Sequence, residues 1–208
     1  GKNVVHYTLE LNEAYVGMRF ATIFSGVPVA NIKDNKDEVR DTIKKDCKGE
    51  LIIKYFPTRG ATVQTIHTHL KTIELMGHEP DLILVDYADL LRDVGSADAA
   101  VRHQLGNIYE DLRGLSGEFQ IPVWTASQSN RSSLEDEVIG AEKIAESYAK
   151  IMTADFVMSL SRKIEDKIAN TGRVHVIKNR FGQDGMTYPL TMNTSIGKLD
   201  VYDSASTN

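Results

Sequence analysis

Cysteine is nearly missing from this chain: Cys47 is the one cysteine in 208 residues. No disulfide can form within the chain, and no Cys/His group has zinc-finger spacing, so a reducing compartment, the cytoplasm, is the expectation. Five prolines and 15 glycines exclude collagen-like and low-complexity chains, and 41% hydrophobic residues exclude intrinsic disorder. No apolar run approaches the roughly 18 residues of a membrane span, and no membrane partner is expected. The first residues, GKNVVHYTLE, carry neither a signal-peptide core nor an initiator Met; they read as the interior of an element, as in a fragment. Positive charge is not in excess either. Lys and Arg number 24 against 29 Asp and Glu, for a net charge of −5, which argues against a uniformly basic nucleic-acid coat while leaving room for a locally positive groove.

What is present is an alternation of strands and helices. Asn3 to Leu9 is a β-rich run, and Asn12 is placed to cap a helix carrying Val16, Phe20, Ile23 and Phe24 on one face. Residues 34–48 are polar and helix-compatible around Val39 and Ile43, and residues 51–56 (LIIKYF) read as a strand. A helix from Thr62 or Thr65 through Ile66, Leu70, Ile73 and Met76 stops at Gly77 and Pro80, and LILVD at 82–86 reads as a central parallel strand. Val101, Leu105, Ile108, Leu112, Leu115 and Phe119 recur every three or four residues, the clearest amphipathic helix here. A strand is expected at 121–127, a long polar stretch at 129–153, and strands at 156–161, 173–178, 187–192 and 198–202. The pattern predicts one α/β domain with a mostly parallel sheet, helices on both faces, and a β-rich, partly antiparallel C-terminal end.

In such sheets ligands bind beyond the carboxyl ends of the strands, so polar residues that end apolar runs are the first candidates. Asp86 ends LILV in the manner of a Walker B carboxylate, which holds a magnesium ion beside nucleotide phosphates; a structural polar end is the competing reading. Glu10 ends VVHYTL and could deprotonate a water attacking a γ-phosphate, or serve only as N-terminal charge for the helix starting near Asn12. Gln128 follows VWTAS and can touch a phosphate or the attacking water, with a surface amide as the alternative. Lys178 and Arg180, two apart on a strand, share a face and could reach one anion, or could be ordinary solvated cations. From 162 to 180 six cations (Arg162, Lys163, Lys167, Arg173, Lys178, Arg180) face two acids (Glu165, Asp166), which suits phosphate contact and is equally common on solvated hairpins. His67 and His69 lie two apart on a helix, face different ways and make poor joint metal ligands. A Walker A loop is lacking in the 208 residues: neither Gly1-Lys2 nor Gly197-Lys198 has the upstream glycine or the following hydroxyl.

Taken in order, NVVHYTLELNEAYVGMRF, LILVDYADLLR, IPVWTASQSNRSSLE, IAESYAKIMTADFVMSLSR and VIKNRFGQDGMTYPL resemble the RecA-like motor domain of DnaB-like replicative DNA helicases, including bacteriophage members. The resemblance spans nearly the whole chain. It implies an ATP- and Mg2+-dependent ATPase in which Glu10 is the catalytic glutamate, Asp86 the Walker B aspartate, Gln128 the γ-phosphate sensor of the SQ-x-NR signature, and Arg19 a nearby arginine of the nucleotide site. Lys178 and Arg180 match the K-x-R pair, which acts in trans on nucleotide of the adjacent subunit, so a homohexamer is implied. Single-stranded DNA is the implied substrate, with primase and a helicase loader as candidate partners. The DNA-binding loop falls at about 132–152. Arg131, Lys143, Glu146, Ser147 and Lys150 are its candidate contacts, although Ala145 and Tyr148 stand where an arginine and a glycine are usual. The family's first strand, Walker A loop and following helix would precede Gly1, so the chain reads as one RecA-like domain truncated at its N-terminus. These 208 residues alone are then expected to bind Mg-ATP weakly and to hydrolyse essentially none. Strand exchange or regulation on the same core, as in recombinases and circadian-clock ATPases, and a non-catalytic RecA-fold module are the alternatives.

Overall fold

The computed structural model describes residues 1–95, 101–128, 138–140 and 148–203. The chain divides into two compact units, Gly1–Ser127 and Gln128–Asn208.

The first unit is a four-stranded parallel sheet. Its strands are β1 (Val4–Thr8), β2 (Leu51–Tyr55), β3 (Leu82–Asp86) and β4 (Val123–Thr125), in the order β2-β1-β3-β4. Its helices are α1 (Glu13–Ser25), α2 (Lys36–Asp46), α3 (Val63–Leu75) and α4 (Val101–Phe119). The expected signals start and stop these helices. The Asn12 side chain accepts from the Tyr15 backbone N at 3.1 Å, and α1 ends at Gly26, whose φ of 71° costs a residue without Cβ little. Thr62 and Thr65 form a reciprocal capping box at the start of α3.

Side chains alternate across β1. Val5, Tyr7 and Leu9 join Ile83 and Val85 in a core with Ile66, Leu70 and Ile73 of α3 and Leu105, Ile108, Leu112 and Leu115 of α4. His6, on the opposite face, meets Phe20 of α1 edge-on at 5.5 Å between ring centroids. Helices therefore cover both faces, as the strand–helix alternation predicts. The α1 face is covered more thinly: Val16 is buried, but Ile23 and Phe24 are half exposed, so the expected four-residue apolar face is only partly used. Met76 also lies outside the core, past the end of α3. β4 is shorter than the expected 121–127, because Thr125 turns its hydroxyl to the Val85 carbonyl at 2.9 Å and accepts from the Ala88 N at 2.9 Å where the chain leaves the sheet.

The second unit is an antiparallel meander of β5 (Phe156–Ser161), β6 (Thr171–Asn179), β7 (Thr187–Asn193) and β8 (Lys198–Val201), paired in chain order. The described strands of this unit are all antiparallel. A short helix, α5 (Tyr148–Thr153), precedes β5, and a second, α6 (Ile164–Ala169), fills the β5–β6 connection. The apolar pattern does not announce α6, since Ile164 and Ile168 both face solvent. Asp166 holds it instead. Its carboxylate accepts from the Lys163 N at 2.8 Å, Thr171 Oγ1 at 3.1 Å and Arg173 Nη1 at 2.8 Å. Among the described residues no helix is long and apolar enough to cross a membrane.

Candidate functional site

Parallel pairing decides which strand ends meet. Thr8 of β1 lies opposite Asp86 of β3, and the Leu9 N donates to the Asp86 carbonyl at 2.8 Å. Connections from β1 lead to β2 on one side, and those from β3 lead to β4 on the other. The carboxyl ends of β1 and β3 thus form the crevice at which open α/β sheets bind ligands. Glu10 and Asp86 stand at this crevice.

The backbone that carries Glu10 is held in place. Thr8 is fully buried; its hydroxyl donates to the Leu11 carbonyl at 2.7 Å, and the Leu11 N returns to it at 3.3 Å. Thr58 Oγ1 donates to the Leu9 carbonyl at 3.0 Å. Among the described residues the exposed Glu10 carboxylate meets no hydrogen-bond donor or cation.

Asp86 has no lysine or arginine partner among the described residues; its one ion-pair neighbour there is His6, with Nε2 3.9 Å from Oδ2. A hard carboxylate oxygen at a strand end, free of a competing cation, fits a magnesium ion or its water shell. His6 is buried, and among the described residues neither of its ring nitrogens meets a hydrogen-bond partner. Such unpaired polar atoms cost about 1–3 kcal/mol each. Burial holds the His6 pKa below its ordinary 6.5, with the Asp86 charge pulling the other way, so the ring is neutral at physiological pH.

A second cluster ties β3 to β4. Tyr109 of α4 donates to Asp89 Oδ1 at 3.0 Å and Ser127 to Asp89 Oδ2 at 2.9 Å. Burial first, then the Asp89 charge, push the Tyr109 hydroxyl pKa up. This cluster fixes the residue immediately before Gln128, which is itself exposed.

Lys178 lies in β6 next to its last residue, and Arg180 follows the strand end in a turn, so the two are not both on the strand as their spacing suggests. Lys178 Nζ donates to the carbonyls of Ile151 and Met152, each at 2.8 Å, and so caps the C-terminus of α5. Arg180 pairs with Asp155 through Nη1, while its backbone N reaches the Asp155 carbonyl at 2.8 Å. Of the five guanidinium donors, one on Nη1 goes to Asp155 among the described residues. Arg19 is exposed on α1. Lys150 is buried, so it does not offer its ammonium at the surface. Arg131, Lys143, Glu146 and Ser147 lie outside the described residues.

The two histidines set aside as metal ligands have structural partners: His67 Nε2 meets Glu118 Oε1 at 2.9 Å, and His69 Nδ1 meets the Tyr7 hydroxyl at 3.0 Å. Neither Gly-Lys pair presents a free lysine among the described residues. Lys2 pairs with Asp81 at 2.6 Å near the amino ends of β1 and β3, and Lys198 pairs with Asp200 at 3.0 Å in the β7–β8 hairpin. Sequence reasoning missed His6, Thr8 and the Asp89 cluster. A histidine and a threonine inside an otherwise apolar strand were the available signal.

The sheet, its switch point and the carboxylate crevice define a RecA-like ATPase fold. Two solved structures share it. One is described as an ATPase domain, with a TM-score of 0.82 and 19% identity over 97% of this chain and 75% of that one. The other is a DnaB-like replicative helicase described with its interactions with primase, with a TM-score of 0.80 and 20% identity over 95% and 50%. The chain belongs to the family of the DnaB-like helicase C terminal domain, whose profile matches residues 1–200. Relatives include the DnaB-like replicative helicase of Enterobacteria phage T4, 27% identical over 88% of this chain and 40% of that protein. Another is the replicative DNA helicase DnaB of Buchnera aphidicola subsp. Acyrthosiphon pisum (strain APS), 27% identical over 97% and 46%. The chain thus spans less than half the length of these two curated relatives.

Proposed function

We propose that this chain is most of a RecA-like motor domain of a replicative DNA helicase, which couples ATP hydrolysis to translocation on single-stranded DNA and to unwinding of the duplex. The observation that carries this reading is the β1–β3 register, which sets Thr8, two residues before Glu10, opposite Asp86, within a family match over residues 1–200.

Each residue has a role that its surroundings allow. Glu10, held by the Thr8 turn, takes the proton of the attacking water. Asp86 would hold Mg2+ directly or through water, and the ion would supply charge neutralisation of the phosphates. Gln128 contacts the γ-phosphate or the attacking water, and Arg19 lies near the nucleotide. In a homohexamer, Arg180 offers its remaining donors to the nucleotide of the neighbouring subunit, with Lys178 fixing the adjacent end of α5 and adding its charge. With Lys150 buried, Arg131 and Lys143 supply the DNA-phosphate charge, supported by Glu146 and Ser147. Primase and a helicase loader are the proposed protein partners, and the cytoplasm, of a host cell if the gene is phage-borne, is the proposed location.

Two measurements on the full-length protein test this. Strand separation on a forked duplex should require ATP; ATP-dependent filaments without unwinding would point to a recombinase instead. Arg180→Ala should abolish turnover while nucleotide affinity stays within about threefold, since a trans residue acts on the transition state. Unchanged turnover would remove Arg180 from the site.

A further inference from the structure

His6 has no part in the reading above, yet it is a buried histidine one strand away from Asp86. Its Nε2 lies 3.9 Å from Asp86 Oδ2, and among the described residues neither ring nitrogen has a hydrogen-bond partner. Phe20 of α1 packs edge-on against the ring at 5.5 Å between centroids, so the imidazole has an apolar neighbour there. The parallel β1–β3 register sets His6 opposite Leu84 and Thr8 opposite Asp86. The imidazole therefore sits beside the strand end from which the carboxylate projects.

We propose that His6 is a positioning residue for the metal-binding carboxylate: its Nε2–H donates to Asp86 Oδ2 when the site is loaded, leaving the other oxygen directed at the metal or its water. This rests on the reading of Asp86 as the magnesium anchor. Only a small closure of the 3.9 Å separation is needed, and hydrogen bonds at nucleotide sites commonly tighten on loading. The Nε2–H tautomer also leaves no second buried N–H to satisfy. Partners of ligating carboxylates and histidines typically change metal affinity about 10- to 100-fold when removed.

The test compares His6→Leu, which fills the space without a donor, with His6→Gln, whose side-chain amide can place an N–H near the Nε2 position. Two readouts are made on the full-length protein: the Mg2+ concentration for half-maximal ATPase, and Mn2+ binding to the ADP-loaded protein followed by electron paramagnetic resonance. We expect His6→Leu to raise both midpoints about tenfold and His6→Gln to restore them to within about threefold of wild type, with ADP affinity in the absence of metal unchanged. Wild-type midpoints in His6→Leu would overturn the proposal, and so would equal losses in both variants. Asp86→Asn separates the two levels. If it shifts the midpoints and His6→Leu does not, only the His6 role falls; if Asp86→Asn shifts nothing, the magnesium-anchor reading falls with it.

Discussion

Replacing Asp89 by alanine tests how the ends of β3 and β4 are held together. The carboxylate accepts from the Tyr109 hydroxyl at 3.0 Å and the Ser127 hydroxyl at 2.9 Å. Tyr109 is buried, and the Ala126 carbonyl at 3.5 Å and the nearby Ser127 hydroxyl replace the charged acceptor only in part. Exchanging a charged acceptor for these weaker ones costs a buried hydroxyl about 1–2 kcal/mol. Ser127 is exposed, so water takes over its bond and the added cost is only about 0.5 kcal/mol. Asp89→Ala should therefore destabilise the first unit by about 1.5–2.5 kcal/mol. Tyr109→Phe removes the hydroxyl itself and should cost about 1 kcal/mol. When Tyr109→Phe is already present there is no buried hydroxyl to lose the carboxylate, so adding Asp89→Ala should cost about 1–2 kcal/mol less, a coupling expected of groups in one network. Urea unfolding of the four proteins, read as shifts in midpoint at constant slope, measures the cycle. Costs that add to within about 0.5 kcal/mol would refute the network. Tyr109 also carries a pH signature. Its folded pKa is raised above the ordinary 10.0, so its contribution is fully present below about pH 10 and is lost as pH rises beyond that. Tyr109→Phe should flatten that alkaline decline.

Three further outcomes follow from packing and charge. Leu70→Ala empties a fully buried position in the α3 core and should cost about 3–4 kcal/mol in denaturant unfolding; a loss below about 1 kcal/mol would mean the site collapses around the cavity. The Lys163 backbone N first, then Arg173, hold the Asp166 carboxyl below the usual 3.8. Its contribution is present above about pH 4 and lost as pH falls through the lower folded value, so Asp166→Asn should reduce the acid slope of stability of the second unit in thermal melts below about pH 4. A Cβ on Gly49 would collide with the Lys2 carbonyl oxygen. Gly49→Ala should therefore push apart the lead-in to β2 and cost about 2 kcal/mol or more, visible as accelerated amide exchange at Val4, whose N bonds the Glu50 carbonyl at 2.8 Å.

Much of this architecture is legible from local chemistry. The period of Leu105, Ile108, Leu112 and Leu115 places one face of α4 in the core, and each of these residues is buried there. Asn12 and Thr62 start their helices because a side-chain oxygen satisfies a nearby backbone N–H, an interaction three residues long. LILVD is an interior strand because its residues carry apolar groups to both faces. Glu10, Asp86 and the Lys178/Arg180 pair are visible as polar ends of apolar runs. α6 escapes such a reading because its stability comes from Asp166 and its three donors rather than from a buried stripe, and the exposed Ile23 and Phe24 show that an apolar period states a preference for burial without guaranteeing a partner.

Periodicity and contacts a few residues apart are enough to mark most strands and helices, the points where helices begin, and the strand-end polar residues proposed for phosphate chemistry, so these can be read from the linear chain. What those residues meet depends on the folded sheet. The β1–β3 register brings Thr8 opposite Asp86 from a distant part of the chain and sets His6 beside the carboxylate with both nitrogens unpaired among the described residues, and in the second unit the β5–β6 pairing turns Lys178 and Arg180 toward residues 151–155. Strand order and register are long-range properties, so the partners of a buried histidine or a strand-end cation emerge only once the strands lie side by side.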